Sequence, residues 1–267
     1  MTLKAKKSLG QHFLVDPLVI VRIIEALGPK PGETILEIGP GEGVLTLPLV
    51  NSGADIVAVE LDRRLAPRLA DELSGRSNFR IFEADILAIN PAAEGLARFA
   101  LIGNLPYNIT TPVMDWLLTY HESIDRAVLM MQKEVAQRVI SPPGRRARST
   151  ISVLTSLYFD GQVVFEVPPD AFRPPPKVDS AVVLLRRHHR HFDVGDLKGF
   201  ERFVRFCFAN KRKSLLNNLN AAYPFPRADL EEIIVEVSGS AKIRAEQLEL
   251  ETFISLFHAI AGRKTNG

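Results

Sequence analysis

The sequence predicts an α/β protein with a mostly parallel sheet, followed by a small helical domain. Between Thr34 and Gln132, five short apolar runs alternate with helical segments, and this spacing is typical of parallel strands joined by helical crossovers. From Phe200 onward the apolar residues recur at helical spacing instead. A chain of 267 residues is long enough for one domain of ordinary size and one small domain.

Local signals predict the individual elements. Asp16 and Pro17 combine an N-cap with a first-turn proline, and apolar residues at helical spacing extend from there to Gly28. The expected strands have the sequences TILEIG, DIVAVE, FRIFEA, ALIGNL and RAVLMM. A helix and a break at Pro142–Gly144 then precede two further strands, within SLYFDGQVVFEV and SAVVLLRR, on either side of a proline-rich loop.

Composition narrows the class of protein. Apolar residues make up 46% of the chain, which is enough for a sizeable core, and Cys207 is the only cysteine. A single cysteine excludes an internal disulfide framework and a cysteine-ligated zinc site, as expected for a reducing compartment. No apolar run approaches the length that spans a bilayer. We therefore expect a cytoplasmic protein with no membrane partner. We also expect a monomer that holds no metal.

The distribution of charged residues along the chain is more informative about binding partners than the net charge of +2. Basic residues cluster near the N-terminus and in three later places, and any one such cluster is more often a solvated surface than a binding site. Four clusters together favour contacts with nucleic acid phosphates. The best candidates are Lys211, Arg212 and Lys213, followed by Arg145, Arg146 and Arg148.

The first predicted strand leads into a glycine-rich turn, Glu37-Ile38-Gly39-Pro40-Gly41-Glu42-Gly43. Glu60 lies 21 positions after Gly39 at the end of the next strand, where a carboxylate can accept hydrogen bonds from ribose hydroxyls. Dinucleotides normally require GxGxxG, and Glu42 would repel a phosphate at this turn. The pattern thus predicts a nucleoside ligand without phosphate, such as S-adenosylmethionine. Asp85 is suited to bind an adenine amino group, although N-capping is an equally good role for it.

The fourth strand ends in Asn104-Leu105-Pro106-Tyr107, at the sheet edge where α/β proteins bind ligands. An adenine amine is a weak nucleophile because its lone pair is delocalised into the ring. The side-chain carbonyl of Asn104 and the backbone carbonyl of Leu105 can accept its two hydrogens, while Pro106 fixes the turn and Tyr107 offers a stacking face. Phe172 could cover the other face of the base, but alone it is more simply read as a hydrophobic anchor.

Together these motifs resemble a known family, the KsgA/RsmA ribosomal RNA adenine dimethyltransferases. The matching blocks run from residue 8 to about 220: SLGQHFLVD, LEIGPGEGVLT, VAVELDRRL, GNLPYNITTPV, MMQKEVAQRV, VPPDAFRPPPKVDSAVV and ANKRKSLLNNL. The resemblance implies a Rossmann-like class I methyltransferase fold with a seven-stranded sheet. It also implies a catalytic domain over residues 1–190, with residues 1–15 as an N-terminal lid, and a helical domain over residues 191–267.

The resemblance implies a reaction and a set of contacts. The family uses S-adenosylmethionine, releases S-adenosylhomocysteine and dimethylates two adjacent adenosines in the 3′-terminal hairpin of 16S rRNA within immature small subunits. The implied cofactor contacts are Gln11, His12, Leu14, Gly39, Gly41, Glu60, Leu61, Asp85, Ile86 and Asn104. The implied catalytic residues are Asn104, Leu105, Pro106, Tyr107 and Phe172. Many relatives have Asn in place of His12, and residues 147–153 also depart from the family pattern.

Three alternatives remain open at the level of the sequence. The antibiotic-resistance branch dimethylates one adenosine of large-subunit RNA with the same corner, although KRKSLLNNL and FRPPPKVDSAVV look more like the small-subunit side. An assembly factor could bind immature small subunits while methylation is incidental. A nicotinamide-dependent oxidoreductase is disfavoured by the GPGEG turn.

Overall fold

The structure, a computed structural model, describes residue 6 and residues 10–264. It divides into two compact units. The sheet unit comprises the chain up to residue 136 and residues 160–187, and the helical unit comprises residues 137–159 and the chain from residue 188 onward. The domain boundary at residues 190 and 191 stays a prediction, and the grouping of residues 137–159 with the later helices was not foreseen because these residues are far from those helices in sequence.

The sheet unit is built on a mixed sheet. Among the described residues seven strands form it: β2 (Thr34–Ile38), β3 (Asp55–Glu60), β4 (Phe79–Glu83), β5 (Phe99–Asn104), β6 (Ile124–Gln132), β7 (Phe159–Val167) and β9 (Ser180–Arg187). Their order in the sheet is β4-β3-β2-β5-β6-β9-β7. Neighbours from β4 to β6 are parallel, whereas β9 runs antiparallel to β6. All seven strands predicted from the sequence are therefore confirmed.

Strand β2 pairs with both β3 and β5, so the strand order reverses there. At such a reversal the crossover helices leave on opposite faces, and a crevice opens at the carboxyl ends of the strands. Ile38 pairs with Val59 on one side and with Gly103 on the other. The glycine-rich turn after β2 and Asn104 at the end of β5 consequently lie at the same edge of the sheet.

Helix α1 shows the predicted end signals. It spans Pro17–Leu27, the side chain of Asp16 accepts hydrogen bonds from Leu18 N and Val19 N, and Gly28 ends it in a left-handed conformation. After the glycine-rich turn, residues 41–45 form successive turns, and helix α2 begins at Thr46. The remaining crossover helices are α3 (Ala66–Glu72), α4 (Thr110–Thr119) and α5 (Lys133–Val139), and α2 ends at Asn51.

A second, small sheet ties the N-terminal segment to the proline-rich loop. Strand β1 (Phe13–Leu14) runs antiparallel to β8 (Phe172–Arg173), with Phe13 opposite Arg173 and Leu14 opposite Phe172. Leu14 and Phe172 are both 2% exposed and join the core of the sheet unit. This pairing fixes residues 10–14 beside the carboxyl edge of the large sheet.

The helical unit has its own aromatic core. Phe200, Phe203 and Phe253 are fully buried, and Phe257 packs on the first two with ring centroids 5.6 and 5.7 Å away. Its helices are α6 (Thr150–Ser156), α7 (Leu197–Cys207), α8 (Leu215–Ala222), α9 (Arg227–Ser238) and α10 (Leu250–Lys264), which confirms the helical tail. Within the part of the chain that the structure describes, no helix combines the length and apolarity needed to cross a membrane.

Candidate active site

One cavity at the carboxyl edge of the sheet collects most of the predicted site residues. It encloses about 860 Å³ of space, part of which is open to solvent. The predicted residues that line it are Gln11, His12, Gly39, Gly41, Glu60, Leu61, Asp85, Ile86, Asn104, Leu105, Pro106 and Tyr107. These residues come from five separate stretches of the sequence, and the sheet topology brings them together.

The backbone of Gly39 forms part of the cavity wall. Its φ angle is +63°, which side-chain-bearing residues rarely adopt, and a Cβ atom placed there would meet no other atom within 4 Å. The space in front of Gly39 therefore belongs to the cavity. A ligand can approach the main chain here because glycine carries no side chain.

Glu60 is oriented by two backbone N–H groups. Its Oε2 accepts a hydrogen bond from Gly41 N at 3.0 Å, and its Oε1 accepts one from Asp62 N at 2.8 Å. Each carboxylate oxygen has two lone pairs, so both keep capacity for a further donor. Burial raises the pKa of Glu60, and the two N–H groups counteract part of that shift.

A second carboxyl group, that of Glu37, lies behind the glycine-rich turn. It is 1% exposed, and Thr46 donates a hydrogen bond to it at 2.7 Å. Burial raises the pKa of Glu37 to about 8, and the nearby charge of Glu60 adds to the increase. Glu37 is consequently a neutral acid at pH 7 rather than a second negative charge beside the cavity.

Leu61, Asp85 and Ile86 form the far end of the cavity. Leu61, which is 51% exposed, and Ile86, which is buried, both line the cavity with apolar side chains. The wall here is therefore partly apolar, as suits a planar base. Asp85 caps the turn that follows it, because its Oδ1 accepts a hydrogen bond from Leu87 N at 3.0 Å. Capping occupies one carboxylate oxygen, so the two roles considered for Asp85 are compatible.

Asn104 is held in a defined orientation. Its Nδ2 donates a hydrogen bond to the backbone oxygen of His12 at 3.0 Å. Because a carbonyl oxygen can only accept, the NH₂ group has to face His12, and Oδ1 is left to accept a hydrogen bond from another donor. The backbone N–H of the next residue, Leu105, donates to Met130 O at 2.9 Å and fixes the start of the turn.

Tyr107 is fixed at its hydroxyl and on its ring. The hydroxyl group lies 2.7 Å from the Oγ of Ser180, and the ring stacks on His12 with centroids 5.6 Å apart. His12 is itself anchored, since its Nδ1 lies 2.6 Å from the backbone oxygen of Pro174 and must therefore carry the proton. Burial raises the pKa of Tyr107, so the phenol stays protonated.

Two predicted residues lie elsewhere. Leu14 lines a smaller adjoining cavity of about 350 Å³ together with Glu37 and Gly39. Phe172 is 2% exposed and packs in the core, and it is absent from the described residues that line either cavity. We therefore correct the expectation that Phe172 presents its ring to the target base, because β1 covers that loop and its side chain serves as a hydrophobic anchor.

The predicted phosphate contacts belong to the helical unit, and one of them is wrong. Arg145, Arg146 and the triplet Lys211–Lys213 are exposed. Arg148 is only 2% exposed and donates a hydrogen bond to Ser141 O at 3.0 Å. Its guanidinium braces the backbone from inside, so a surface contact with phosphate is excluded for this side chain.

Sequence reasoning missed several residues of the site, and three of them, Asp62, Ser180 and Phe13, make contacts that matter for its geometry. Asp62 and Ser180 hold cavity residues by hydrogen bonds, and Phe13 lines both cavities. The alternation of an extended chain was a usable signal for Asp62, since residues 60 and 62 point to the same side. Of the described residues, none form a group of three or more His, Cys, Asp or Glu suited to a metal, and the expectation that no metal is needed remains a prediction.

The fold and the site define the class of protein. A mostly parallel sheet of seven strands in which β9 runs antiparallel to β6, a glycine-rich turn after β2 and an acidic residue at the end of β3 are the features of a Rossmann-like class I methyltransferase. The polar corner at the end of β5 lies in the same cavity as the glycine-rich turn and this acidic residue.

Comparison with known proteins identifies the family. The family model of ribosomal RNA adenine dimethylase matches residues 2–261. The ribosomal RNA small subunit methyltransferase A of Acidobacterium capsulatum is 40% identical over 97% of this chain and 93% of the relative. The protein of that name from Lactobacillus delbrueckii subsp. bulgaricus is 38% identical over 96% of this chain and 91% of the relative.

Two solved structures are similar over nearly the whole chain. A dimethyladenosine transferase from Plasmodium falciparum has a TM-score of 0.80 and 26% identity, covering 95% of this chain and 98% of that one. The 23S rRNA methyltransferase ErmE has a TM-score of 0.72 and 31% identity, covering 93% of this chain and 99% of that one. The chain therefore belongs to the ribosomal RNA adenine dimethylase family, whose members are S-adenosylmethionine-dependent rRNA adenine dimethyltransferases.

Proposed function

We propose that this protein dimethylates the exocyclic amines of two adjacent adenosines in the 3′-terminal hairpin of 16S rRNA, within immature small ribosomal subunits. The observation that carries the proposal is the orientation of Asn104. Its Nδ2 is bound to His12 O at 3.0 Å, so its carbonyl oxygen is free to accept a hydrogen bond from an amine in the cavity.

The cavity fits S-adenosylmethionine as the methyl donor. The open space in front of Gly39 admits the ligand close to the main chain. Glu60 is oriented to accept hydrogen bonds from ribose hydroxyls, and the second oxygen of Asp85 can accept one from the adenine amino group. When bound, the cofactor supplies an electrophilic methyl group and becomes S-adenosylhomocysteine.

The residues of the corner activate the target amine by geometry. The Oδ1 of Asn104 and the backbone oxygen of Leu105 accept its hydrogens, which draws the nitrogen toward tetrahedral geometry and frees its lone pair. No strong general base is required, because the nitrogen becomes far more acidic once it carries the new methyl group. Positioning and electrostatic preorganisation therefore supply the rate acceleration.

Tyr107 provides the stacking face for the target base. A base can reach this corner only when it leaves its helix, and an aromatic ring offsets part of the cost of unstacking, by about 1–3 kcal/mol. The ring is held by His12 and Ser180 before the base arrives. Since Phe172 is buried, the stacking role that we assign rests on Tyr107.

The choice of the small subunit is supported by the relatives. Proteins named ribosomal RNA small subunit methyltransferase A are about 40% identical to this chain, whereas ErmE, a 23S rRNA methyltransferase, is 31% identical. We further propose that the exposed cations Lys211, Arg212, Lys213, Arg145 and Arg146 bind RNA phosphates. A cytoplasmic location and a monomeric state are further parts of the proposal.

The test is methylation of purified immature small subunits with labelled S-adenosylmethionine, followed by mapping of the modified positions. We expect four methyl groups per particle, two on each of two adjacent adenosines of the 3′-terminal hairpin. Large subunits and their precursors serve as the matched substrate control. Label that appears only in 23S rRNA would overturn the assignment to the small subunit while leaving the chemistry intact.

A further inference from the structure

The buried carboxylate of Asp62 binds side chains from two different parts of the chain. Asp62 is 1% exposed, and Arg64, two residues later, donates hydrogen bonds to both of its oxygens, at 3.0 and 2.7 Å. From the N-terminal segment, Gln11 Nε2 donates at 3.1 Å and Lys6 Nζ at 3.0 Å. The hydrogen bonds from Arg64 in particular hold the pKa of Asp62 well below its usual range, so the group is ionised throughout the working pH range.

Gln11 transmits this attachment to the segment that lines the cavity. Its Nε2 is bound to Asp62, and its Oε1 accepts a hydrogen bond from the backbone N–H of Lys6 at 2.8 Å. Gly10, the preceding residue, has a φ of +62° and lies so close to Asn108 that a Cβ atom would approach Oδ1 to 2.8 Å. The segment is therefore pressed against the loop that follows β5. Residues 7–9 lie outside the described chain.

His12, the next residue, contacts both catalytic side chains. Its backbone oxygen accepts the hydrogen bond that sets the orientation of Asn104, and its ring stacks on Tyr107. A change in the position of residue 12 would consequently move the acceptor of Asn104 and the stacking face of Tyr107 together. Small displacements of this kind are costly in catalysis, because a shift of about 1 Å can lower the rate on the order of 100-fold.

We propose that Asp62 is a positioning residue that holds residues 10–12 in register and, through His12, sets the geometry of Asn104 and Tyr107. The proposal rests on the proposed function of that corner. The backbone N–H of Asp62 also donates a hydrogen bond to the carboxylate of Glu60 at 2.8 Å. Asp62 therefore orients Glu60 through its main chain and the corner formed by Asn104 and Tyr107 through its side chain. The Gln11 contact is the one that distinguishes this role from local bracing of the loop by Arg64.

The experiment compares Asp62→Asn, Gln11→Ala and the double variant in steady-state methylation of immature small subunits. The matched control is Asp55→Asn, an exposed aspartate at the start of β3, the strand that precedes the Asp62 loop. We expect each single variant to lower kcat about tenfold while the KM for the particle stays within about twofold. The double variant should be no slower than the slower single variant, because both changes cut the same connection.

Two further measurements separate positioning from folding. The midpoint of thermal unfolding is measured for every variant, and Gln11→Ala removes a half-buried side chain without touching the Arg64 contacts. Losses of kcat that multiply in the double variant, or that appear in Asp62→Asn but not in Gln11→Ala, would overturn the proposal. Asn104→Ala is measured in parallel. If Asn104→Ala keeps full activity, the proposed function of the corner is contradicted. If Asn104→Ala is inactive while the Asp62 and Gln11 variants react at wild-type rates, only the positioning role of Asp62 is contradicted.

Discussion

The sheet unit and the helical unit use buried polar side chains for different purposes. In the sheet unit, Glu37, Glu60 and Asp62 lie around or directly behind the cavity, and each is held by hydrogen bonds that set its orientation or its charge. In the helical unit, Asn218 donates to Cys207 O and Asn210 O, and Arg148 donates to Ser141 O. The polar interior builds a reaction site in the first unit and braces loops in the second.

The difference follows from topology. In a parallel sheet every crossover returns the chain to the same edge, so polar residues at the ends of β2, β3, β4 and β5 converge. A helical bundle has no equivalent edge, and its exposed cations stay where their own loops place them. Mutations can test this contrast, because they should affect chemistry in the sheet unit and RNA affinity in the helical unit.

The largest effect is expected for Asn104→Ala. Removal of one preorganised hydrogen-bonding group from a reaction centre typically costs on the order of 10²- to 10³-fold in rate. Labelled methyl transfer should fall by at least that factor, while binding to immature small subunits, measured by sedimentation, should be largely unchanged. The exposed Asn51→Ala is the matched control. An equal loss of methylation and particle binding would contradict separate catalytic and binding regions.

Glu60→Gln should change only the affinity for the cofactor. Gly41 N and Asp62 N both donate to this carboxylate, so the amide NH₂ of glutamine would face a donor, and the charge that favours ribose hydroxyls would be lost. Hydrogen bonds to a charged group contribute about 1.5–3 kcal/mol. We expect calorimetry to show S-adenosylmethionine affinity weakened on the order of 10- to 100-fold.

Glu83→Gln provides the control for that experiment. Glu83 lies opposite Glu60 at the end of β4, but its side chain is 44% exposed and pairs with Arg63. The Glu83→Gln variant should bind S-adenosylmethionine with the same affinity as the unmutated protein. Equal weakening in both variants would mean that the general negative charge of this edge matters, rather than the orientation of Glu60.

The same contrast explains how much the sequence could predict. All seven strands of the main sheet, α1 with its caps and the helical tail were predictable because periodicity and end signals are local. Ten of the twelve predicted cavity residues lie at the ends of β2, β3, β4 and β5, and they were predictable because motifs at the carboxyl ends of parallel strands must meet. Gln11 and His12 were predicted only from the resemblance to the family. The positions of Phe172 and Arg148 were not, since exposure of a loop residue depends on what packs over it, here β1 and the helical unit's interior.

Phe172 and Arg148 were assigned roles that their burial contradicts, whereas the role of Asp62 was not predicted at all. The alternation of an extended chain indicates only that Asp62 points to the same side as Glu60. It does not indicate the partners of Asp62, because Lys6 and Gln11 are about fifty residues away in the chain. Ser180 likewise meets Tyr107 across 73 positions. Such pairs are visible only once the fold has brought the two segments together.

A smaller effect is expected from the buried carboxyl group of Glu37, measured as stability against pH. Its pKa in the folded protein is about 8, against an ordinary value of 4.5, so the folded state keeps a proton that the unfolded chain releases. Stability must therefore fall as the pH rises between these two values, by roughly 2–3 kcal/mol from pH 5 to pH 7. Glu37→Gln, which can still accept from Thr46, should lose this dependence.

Urea unfolding of the cofactor-free protein at pH 5 and pH 7 measures the effect. The exposed Glu25→Gln is the control and should keep the slope of the unmutated protein. Parallel pH profiles for Glu37→Gln and the unmutated protein would show that Glu37 is not a neutral acid in the folded state. A charged Glu37 would instead place a second negative charge beside the proposed cofactor site.

The smallest effects are expected in the helical unit. Replacement of Lys211, Arg212 and Lys213 by alanine should weaken particle binding on the order of tenfold and reduce the slope of log affinity against log salt by about 1 per lost phosphate contact. The matched control removes the same charge from α7, at the exposed positions Lys198, Arg202 and Arg205. Equal losses in both triple variants would indicate attraction by net charge rather than by this loop.

Arg148→Met completes the comparison within the same unit. Because Arg148 is buried and bound to Ser141 O, its loss should leave the salt slope of RNA binding unchanged. The unpaired carbonyl should instead lower the free energy of unfolding by about 1–3 kcal/mol. Titrations of particle binding at several salt concentrations, together with urea unfolding, measure both quantities. A salt slope reduced as in the Lys211–Lys213 variant would place Arg148 on the RNA-binding surface and contradict its role as an internal brace.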